Sequence, residues 1–180
     1  MNNPLPPLDN PNEILDLVDS DNTVIGTISR GEVHKNPQRI HRHVAVLLVD
    51  DQKRILLQKR SLTRVSSPGK WTISVAGHIP AGMDSLDAAH KEMLEEVGFD
   101  TSLTFLKKTF HCLKKESFFT FYYLGQYEGE AIVFDPEEST EVKFFSKQEY
   151  IDLIKKEGVV VSAHQQTYEE YWSITSHLSS

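Results

Sequence analysis

Residues 76–99, "AGHIPAGMDSLDAAHKEMLEEVGF", combine closely spaced acids with a glycine on either side. Apolar residues recur in this stretch at positions i, i+3, i+7 and i+11, namely Leu86, Ala89, Met93 and Val97. This period predicts a helix over residues 84–97, with Asp84 as its N-cap. At about 100° per residue, the acids share an arc on the neighbouring flank of that helix: Glu92, Glu95 and Glu96.

The acids have two interpretations. Carboxylates this close repel one another unless solvent or a cation lies between them. Oxygen ligands on a rigid element suit Mg²⁺, which completes its coordination shell with waters and substrate phosphates. Such a site activates a water molecule and neutralises charge on a diphosphate under attack. The alternative is a solvated surface helix, with Gly98 as an ordinary C′ cap.

The spacing of glycines and acids favours the metal site. From Gly77 to Phe99 the sequence closely follows the pattern G-x5-E-x7-R-E-U-x-E-E-x-G-U, where U is an apolar residue. This stretch resembles the Nudix box, the motif of a superfamily of diphosphate hydrolases. The resemblance implies a Nudix fold of the α/β (α+β) class, in which a mixed β-sheet is sandwiched between α-helices.

The same resemblance implies a mechanism. It assigns Mg²⁺ or Mn²⁺ to ligands that also serve as the catalytic acids, together with one backbone carbonyl: Glu92, Glu95, Glu96 and the Gly77 carbonyl. The implied reaction is metal-dependent attack of water on a diphosphate linkage of a nucleoside diphosphate, free or linked to a further group X. One of these acids, or an acid in a later loop such as Glu138, would orient the water.

Two positions depart from the Nudix pattern. Met83 stands where the pattern has its first Glu, and Lys91 stands where it has Arg. Lys keeps the positive charge but loses the planar fork that holds two carboxylates at once. These departures leave open a second class of function, a non-catalytic sensor that binds a nucleotide or diphosphate through the same metal face.

A second resemblance points to one branch of the superfamily. "WTISVAGHI", residues 71–79, resembles the segment that carries the catalytic cysteine of type I isopentenyl-diphosphate isomerases. That cysteine falls on Ala76, and a metal-binding histidine falls on His78. The resemblance extends to "HKNPQRIH" and, more loosely, to "KKES", and it implies a second metal site formed by His34, His41, His78 and Glu116. The other histidines match no motif, and packing or surface positions are expected for them: His43, His90, His111, His164 and His177.

Chemistry decides between hydrolysis and isomerisation. The isomerase needs one group to protonate a double bond and another to remove a proton, and Ala76 does neither. Cys112 lies on a different predicted strand and is a poor substitute. We therefore expect an isomerase-like Nudix hydrolase, with an isoprenoid diphosphate isomerase as the alternative. Arg60 and Arg64 are expected to contact substrate phosphates, although solvated surface positions suit them equally well.

Composition limits the partners. A net charge of −7 argues against duplex nucleic acid or an anionic membrane as the main partner. The sequence contains one cysteine and has neither a long apolar run nor a basic or apolar leader, which predicts a cytoplasmic protein without a disulfide framework. The expected partner is a small-molecule diphosphate, and homodimers are common in the superfamily that the chain resembles.

The chain is expected to form one domain. Residues 1–13 are rich in Pro and Asn and are predicted to be flexible, and residues 14–180 are predicted to form a single Nudix domain. Strand-like runs precede and follow the predicted helix at 84–97, and two further helices are predicted near the C-terminus.

Overall fold

A computed structural model describes residues 10–64, 66–157 and 162–177. Its strands are β1 Ile14–Val18, β2 Val24–Ser29, β3 Ile40–Val49, β4 Ile55–Arg60, β5 Trp71–Ile73, β6 Val75–His78, β7 Leu103–Cys112, β8 Ser117–Gln126 and β9 Ser139–Phe145. Its helices are α1 Arg30–Val33, α2 Ser85–Glu96, α3 Lys147–Glu157 and α4 Gln165–His177, and a 3-10 turn at Ser162–His164 precedes α4.

Strand β3 organises the sheet. It pairs in parallel with β8 along its whole length, so that Ile40 lies opposite Ser117 and Val49 opposite Gln126. On its other side, the middle of β3 pairs antiparallel with β6, from His43 opposite His78 to Val46 opposite Val75. The sheet is therefore mixed, as predicted, and histidines on adjacent strands stand side by side.

Helices cover both faces of the sheet because successive side chains of a strand point to opposite sides. Apolar residues of β3 on one face pack with α2: Val44, Val46 and Leu48 with Ala88, Ala89 and Met93. The intervening residues pack with the C-terminal helices: Ala45 and Leu47 with Tyr150, Tyr168 and Trp172. These two apolar cores confirm the predicted sandwich of a mixed sheet between helices.

Helix α2 begins and ends close to the predicted positions. The Asp84 carboxylate accepts a hydrogen bond from the Leu86 backbone N–H at 2.8 Å, which confirms it as the N-cap. Gly98 follows the helix with φ of +79°, a conformation that favours glycine. Leu86 belongs to the apolar period of the sequence but does not lie on the buried face of the helix. Leu86 is 37% exposed, and Ala88 takes the buried position next to Ala89.

Other details were not predicted. Helix α1 was not predicted, and the strand-like run of residues 70–79 is divided at Ser74. The Ser74 hydroxyl accepts from the Leu48 N–H at 2.8 Å and donates to the Leu56 carbonyl at 2.7 Å, which ties three strands together at this break.

The predicted domain limits stay predictions. Residues 1–9 and 178–180 lie outside the described residues, and the Pro11 carbonyl accepts a hydrogen bond from the Gly31 N–H at 2.9 Å. Among the helices that the structure describes, none combines the length and the apolar character that a membrane span needs.

Candidate active site

A cavity of about 660 Å³ opens where β6, α2, the β4–β5 loop and the 3-10 turn meet. Acids and histidines share its wall: His34, His43, His78, Glu92, Glu95, Glu96, Glu116, Glu138 and His164. Cationic side chains from β4 and the following loop also line it: Arg60, Arg64 and Lys70. The structure thus brings the predicted acid site, the predicted phosphate-binding arginines and three residues of the predicted second metal site into one space, whereas His41 is not among the lining residues.

Gly77 and Glu92 form the closest part of this wall. A Cβ atom at position 77 would lie less than 3.0 Å from Cδ and both carboxylate oxygens of Glu92, a separation that real Cβ atoms essentially never show. Any side chain at this position would displace the Glu92 carboxylate, because that carboxylate of α2 rests directly on the β6 backbone. This contact gives a physical reason for the first glycine of the motif.

Glu96 is held by two donors. The Gln58 side-chain amide donates to Glu96 Oε2 at 2.6 Å, and the Ala76 backbone N–H donates to the same oxygen at 3.2 Å. Gln58 also donates to the Ser74 carbonyl at 2.9 Å and accepts from the Ser139 hydroxyl. Gln58 was not singled out from the sequence. Its bonds to Ser74 and Ser139 hold its amide in place, and the amide in turn fixes the position of Glu96.

Glu95 differs from the other two acids. It is exposed, and Lys91 Nζ donates to its carboxylate at 2.6 Å. The same ammonium lies 3.5 Å from Glu92 Oε1, so one lysine contacts both carboxylates without the fork of an arginine. The structure therefore places Glu92 and Glu96 deeper in the site than Glu95.

Burial raises the pKa values of the two deeper acids. The pKa of Glu92 rises to about 7 because the group is buried and lies near Glu95, while Lys91 opposes the shift. Burial also raises the pKa of Glu96 well above its ordinary value, and the charges of Glu138 and Glu92 add to the effect. Glu138, named from the sequence as a later-loop acid, thus stands near Glu96. A cation between these carboxylates would relieve their repulsion, so the residues fit a divalent metal.

Without metal, the contribution of Glu92 to the stability of the fold is expected to fall as the pH rises from about 4.5 to about 7. In this window the folded state retains a proton on Glu92 that the unfolded chain has released, so this group favours unfolding more as the pH rises. Its contribution falls by an amount on the order of 3 kcal/mol. The buried histidines, whose pKa values are lowered, change the stability in the opposite direction in both proteins, so the measurement is a comparison of the wild type with Glu92→Gln. Urea unfolding in EDTA at both ends of the window should show a change with pH that is less favourable in the wild type than in Glu92→Gln, and an identical change in both proteins would contradict the pKa shift.

Three histidines form a second group, which we call the histidine cluster: His34, His41 and His78. One ring nitrogen from each lies within 4.8 Å of the others. His34 Nε2 and His78 Nε2 are 3.1 Å apart, and Glu116 Oε2 lies 3.4 Å from His34 Nε2. All four residues of the predicted second site are therefore neighbours.

The donor chemistry of the histidine cluster suits a transition metal. Burial lowers the pKa of His41 to about 3, and burial followed by the neighbouring charges lowers that of His78 well below its ordinary value. Neutral imidazoles keep a lone pair available, and imidazole with carboxylate is a donor set that Zn²⁺ and Mn²⁺ accept. The sequence did not single out His43. Its Nε2 lies 2.8 Å from His41 Nε2, and its ring stacks on the ring of Phe118.

The residues that depart from the two family patterns, Met83 and Ala76, lie in different parts of the structure. Met83 is half-buried and packs against the apolar core beneath α2. Ala76 lines the cavity next to Glu96, whereas Cys112 is exposed on β7 and is not among the residues that line it. The structure therefore offers no thiol at the position where the isomerases carry one.

Sequence comparison finds a family and relatives for this chain. The profile of the NUDIX domain matches residues 39–168. The isopentenyl-diphosphate Delta-isomerase 2 of Photorhabdus laumondii is 30% identical over 152 residues, which are 84% of this chain and 84% of that protein. The isopentenyl-diphosphate Delta-isomerase of Streptomyces griseus is 40% identical over 90 residues, which are 50% of this chain and 46% of that protein. The chain thus matches about half the length of that relative.

Structural comparison shows the same fold. The crystal structure of a protein from Deinococcus radiodurans superposes with a TM-score of 0.77 and covers 89% of this chain and 99% of its own. The two sequences are 20% identical, so the likeness concerns the fold alone.

Proposed function

This chain belongs to the NUDIX domain family, and on that premise we propose that it is a divalent-metal-dependent hydrolase of a diphosphate linkage. The observation that carries the proposal is the pairing of the partly buried Glu92 and Glu96 against Gly77 and Ala76, in one cavity with Arg60 and Arg64. Carboxylates and cations facing the same space can bind a metal diphosphate from both sides.

In the proposed reaction, water adds to one phosphorus and the bridging P–O bond breaks. A nucleoside diphosphate then yields the nucleoside monophosphate and inorganic phosphate. Glu92 and Glu96, with the Gly77 carbonyl, would hold Mg²⁺ or Mn²⁺, and that cation would neutralise phosphate charge. Arg60 and Arg64 would orient the phosphates, and Glu138, Glu92 or Glu96 would take the proton of the attacking water. The raised pKa values of Glu92 and Glu96 make these two carboxylates stronger bases once they are ionised.

The decisive experiment is an assay of a diphosphate panel with Mg²⁺ or Mn²⁺. The panel contains CDP, other nucleoside diphosphates and triphosphates, nucleotide sugars and isopentenyl diphosphate. Inorganic phosphate is measured directly, or after phosphatase treatment for nucleotide sugars. We expect turnover that EDTA abolishes. No turnover with measurable ligand binding would instead identify a non-catalytic sensor. Met83→Glu would then be the first variant to test, because it introduces the Glu of the family pattern.

The histidine cluster is proposed as a second metal site, with Glu116 as an additional ligand. His34→Gln is expected to weaken Mn²⁺ binding at least about tenfold, because an amide is a poorer ligand than a neutral imidazole. Titration of the metal-free protein with Mn²⁺, followed by electron paramagnetic resonance, measures this affinity. His90→Gln is the matched control, since His90 pairs with Asp100 at 2.6 Å and is not among the cavity-lining residues. Equal Mn²⁺ affinity in the wild type and His34→Gln would contradict the site.

A second candidate function is isomerisation of an isoprenoid diphosphate, which the histidine cluster and the two isomerase relatives favour. We expect that the wild type does not isomerise isopentenyl diphosphate, because Ala76 cannot transfer a proton. Ala76→Cys restores the thiol in a cavity that Glu116 also lines, so a lack of isomerisation by this variant as well would leave the second function without support. Proton NMR of the reaction mixture detects the product directly. Both proteins are tested in a Cys112→Ser background to exclude the exposed thiol. Isomerisation by either protein would replace hydrolysis with this second function.

A further inference from the structure

His164 stands in the cavity wall but has no part in the proposed reaction at phosphorus. It ends the 3-10 turn Ser162–His164, is buried, and lines the same space as Glu92, Glu96 and Arg60. Its ring is near enough to Arg60 for the guanidinium charge to contribute to a lowered pKa, after burial and the charge of His111. His164 therefore lies near Arg60, which the proposed function assigns to phosphate binding.

The partners of Tyr122 determine which nitrogen of His164 carries the proton. Tyr122 Oη lies 2.9 Å from the Ala163 carbonyl oxygen, which can only accept, so the single hydroxyl proton is donated there. The same Oη lies 3.2 Å from His164 Nδ1 and 3.4 Å from His111 Nε2. Because the Ala163 carbonyl is the nearest of these partners and takes the hydroxyl proton, Nδ1 of His164 donates to Tyr122. Burial lowers the pKa of His164 to about 3, so the ring is neutral at neutral pH and its other nitrogen, Nε2, carries no proton.

The Nε2 atom of His164 is thus a hydrogen-bond acceptor at the cavity. In the described part of the chain, the hydrogen bonds of the His164 side chain use Nδ1, and Nε2 is not among the fully buried atoms that lack a partner. A rotation of the ring that exchanged its two nitrogens would break the hydrogen bond between Nδ1 and Tyr122. Tyr122 is a residue of β8 and is fixed by its own hydrogen bond to the Ala163 carbonyl. The site consequently presents a fixed acceptor to whatever group lies beyond the diphosphate.

We propose that His164 is a specificity-determining residue that selects substrates whose organic group carries an O–H or N–H donor near the diphosphate, such as a nucleoside. The inference rests on the proposed function, because it assumes that the cavity binds a diphosphate. A hydrocarbon group such as an isopentenyl chain offers no donor, and it would remove water from Nε2 without replacing the hydrogen bond. Sites built to bind a donor discriminate strongly against analogues that lack one.

The test compares two ligands that share the diphosphate and differ in the organic group. The α,β-methylene analogues of CDP and of isopentenyl diphosphate are titrated calorimetrically in Mg²⁺ into the wild type, His164→Phe, His164→Gln and the control His90→Phe. His164→Phe is expected to weaken binding of the CDP analogue relative to the isopentenyl analogue. The ratio of the first Kd to the second should rise about tenfold, which corresponds to the loss of one hydrogen bond. His164→Gln keeps an acceptor and should restore part of the preference, and His90→Phe should leave the ratio unchanged.

A second measurement tests the orientation of the ring without any ligand. The ¹⁵N chemical shifts of the His164 imidazole are expected to show a protonated Nδ1 and an unprotonated Nε2 in the wild type. Tyr122→Phe removes the acceptor of the Nδ1 proton, so the population of the other tautomer should increase and part of the CDP preference should be lost. Thermal melting checks that each variant is folded.

The outcomes separate this inference from the proposed function. A protonated Nε2 in the wild type, or equal changes of both Kd values in His164→Phe, would overturn the role of His164. A wild type that binds both analogues but turns over no member of the diphosphate panel would overturn hydrolysis, while the Kd ratios would still test His164.

Discussion

Glu96→Gln is expected to abolish metal-dependent diphosphate hydrolysis, with kcat/KM reduced on the order of 10³-fold. The amide keeps the shape of the carboxylate but removes the charge that the metal and the reacting phosphate require. Both donors that hold Glu96 converge on Oε2, so a glutamine side-chain oxygen can accept the same two hydrogen bonds. The loss of activity would therefore not follow from a rearranged site. Steady-state kinetics with the best substrate of the panel measures it.

The same substitution is not expected to destabilise the metal-free protein. Burial raises the pKa of Glu96, which means that the charged carboxylate is the disfavoured form in the fold. A neutral amide removes this cost at neutral pH, so the melting temperature in EDTA should be unchanged or higher. Glu169→Gln, at an exposed position of α4, is the matched control and should alter neither quantity. Full activity of Glu96→Gln would remove Glu96 from the metal site.

Gly77→Ala is expected to reduce kcat/KM about 100-fold, although it adds a single methyl group. The new Cβ would lie less than 3.0 Å from three atoms of the Glu92 side chain, so the carboxylate must leave its position. Because Glu92 is proposed as a metal ligand, Mg²⁺ affinity should fall together with activity. Steady-state kinetics across a range of Mg²⁺ concentrations separates the loss of metal from any loss of substrate binding.

Gly26→Ala is the control for the methyl group itself. Gly26 lies in β2, and a Cβ atom there meets nothing within 4 Å. Its activity should match that of the wild type. If Gly77→Ala retained normal activity and Mg²⁺ affinity, the close contact between Glu92 and the β6 backbone would have no functional meaning.

Local sequence pattern was sufficient for the features that depend on neighbours along the chain. The period of apolar residues predicted α2, and Asp84 was recognised as its cap because an N-cap bonds to residues only two or three positions ahead. The same pattern could not give the width of the buried face. Leu86 was placed on the apolar stripe but lies partly in solvent, since the position of the sheet decides which neighbours of that stripe are covered.

The spacing of Gly77 and the acids was enough to identify the family and to name Glu92, Glu95 and Glu96 as a group. It did not rank them. Only the packing of α2 on β6 buries Glu92 and Glu96 while leaving Glu95 exposed next to Lys91. Burial depends on the whole surrounding structure, and therefore the raised pKa values of the two deeper acids are properties of the tertiary structure.

Residues that act through partners distant in sequence were not recognisable beforehand. Gln58 bonds to Glu96 across 38 positions, and Tyr122 bonds to His164 across 42. Each of these residues is common in ordinary cores and carries no local signal. The sequence by itself determined helix α2 and the family, and it named the candidate acids and the fold, because the apolar period and the short spacing of the motif are local. The tertiary structure alone decided which groups are buried together and which nitrogen of His164 contacts Tyr122, because those depend on strands and turns that meet only after folding.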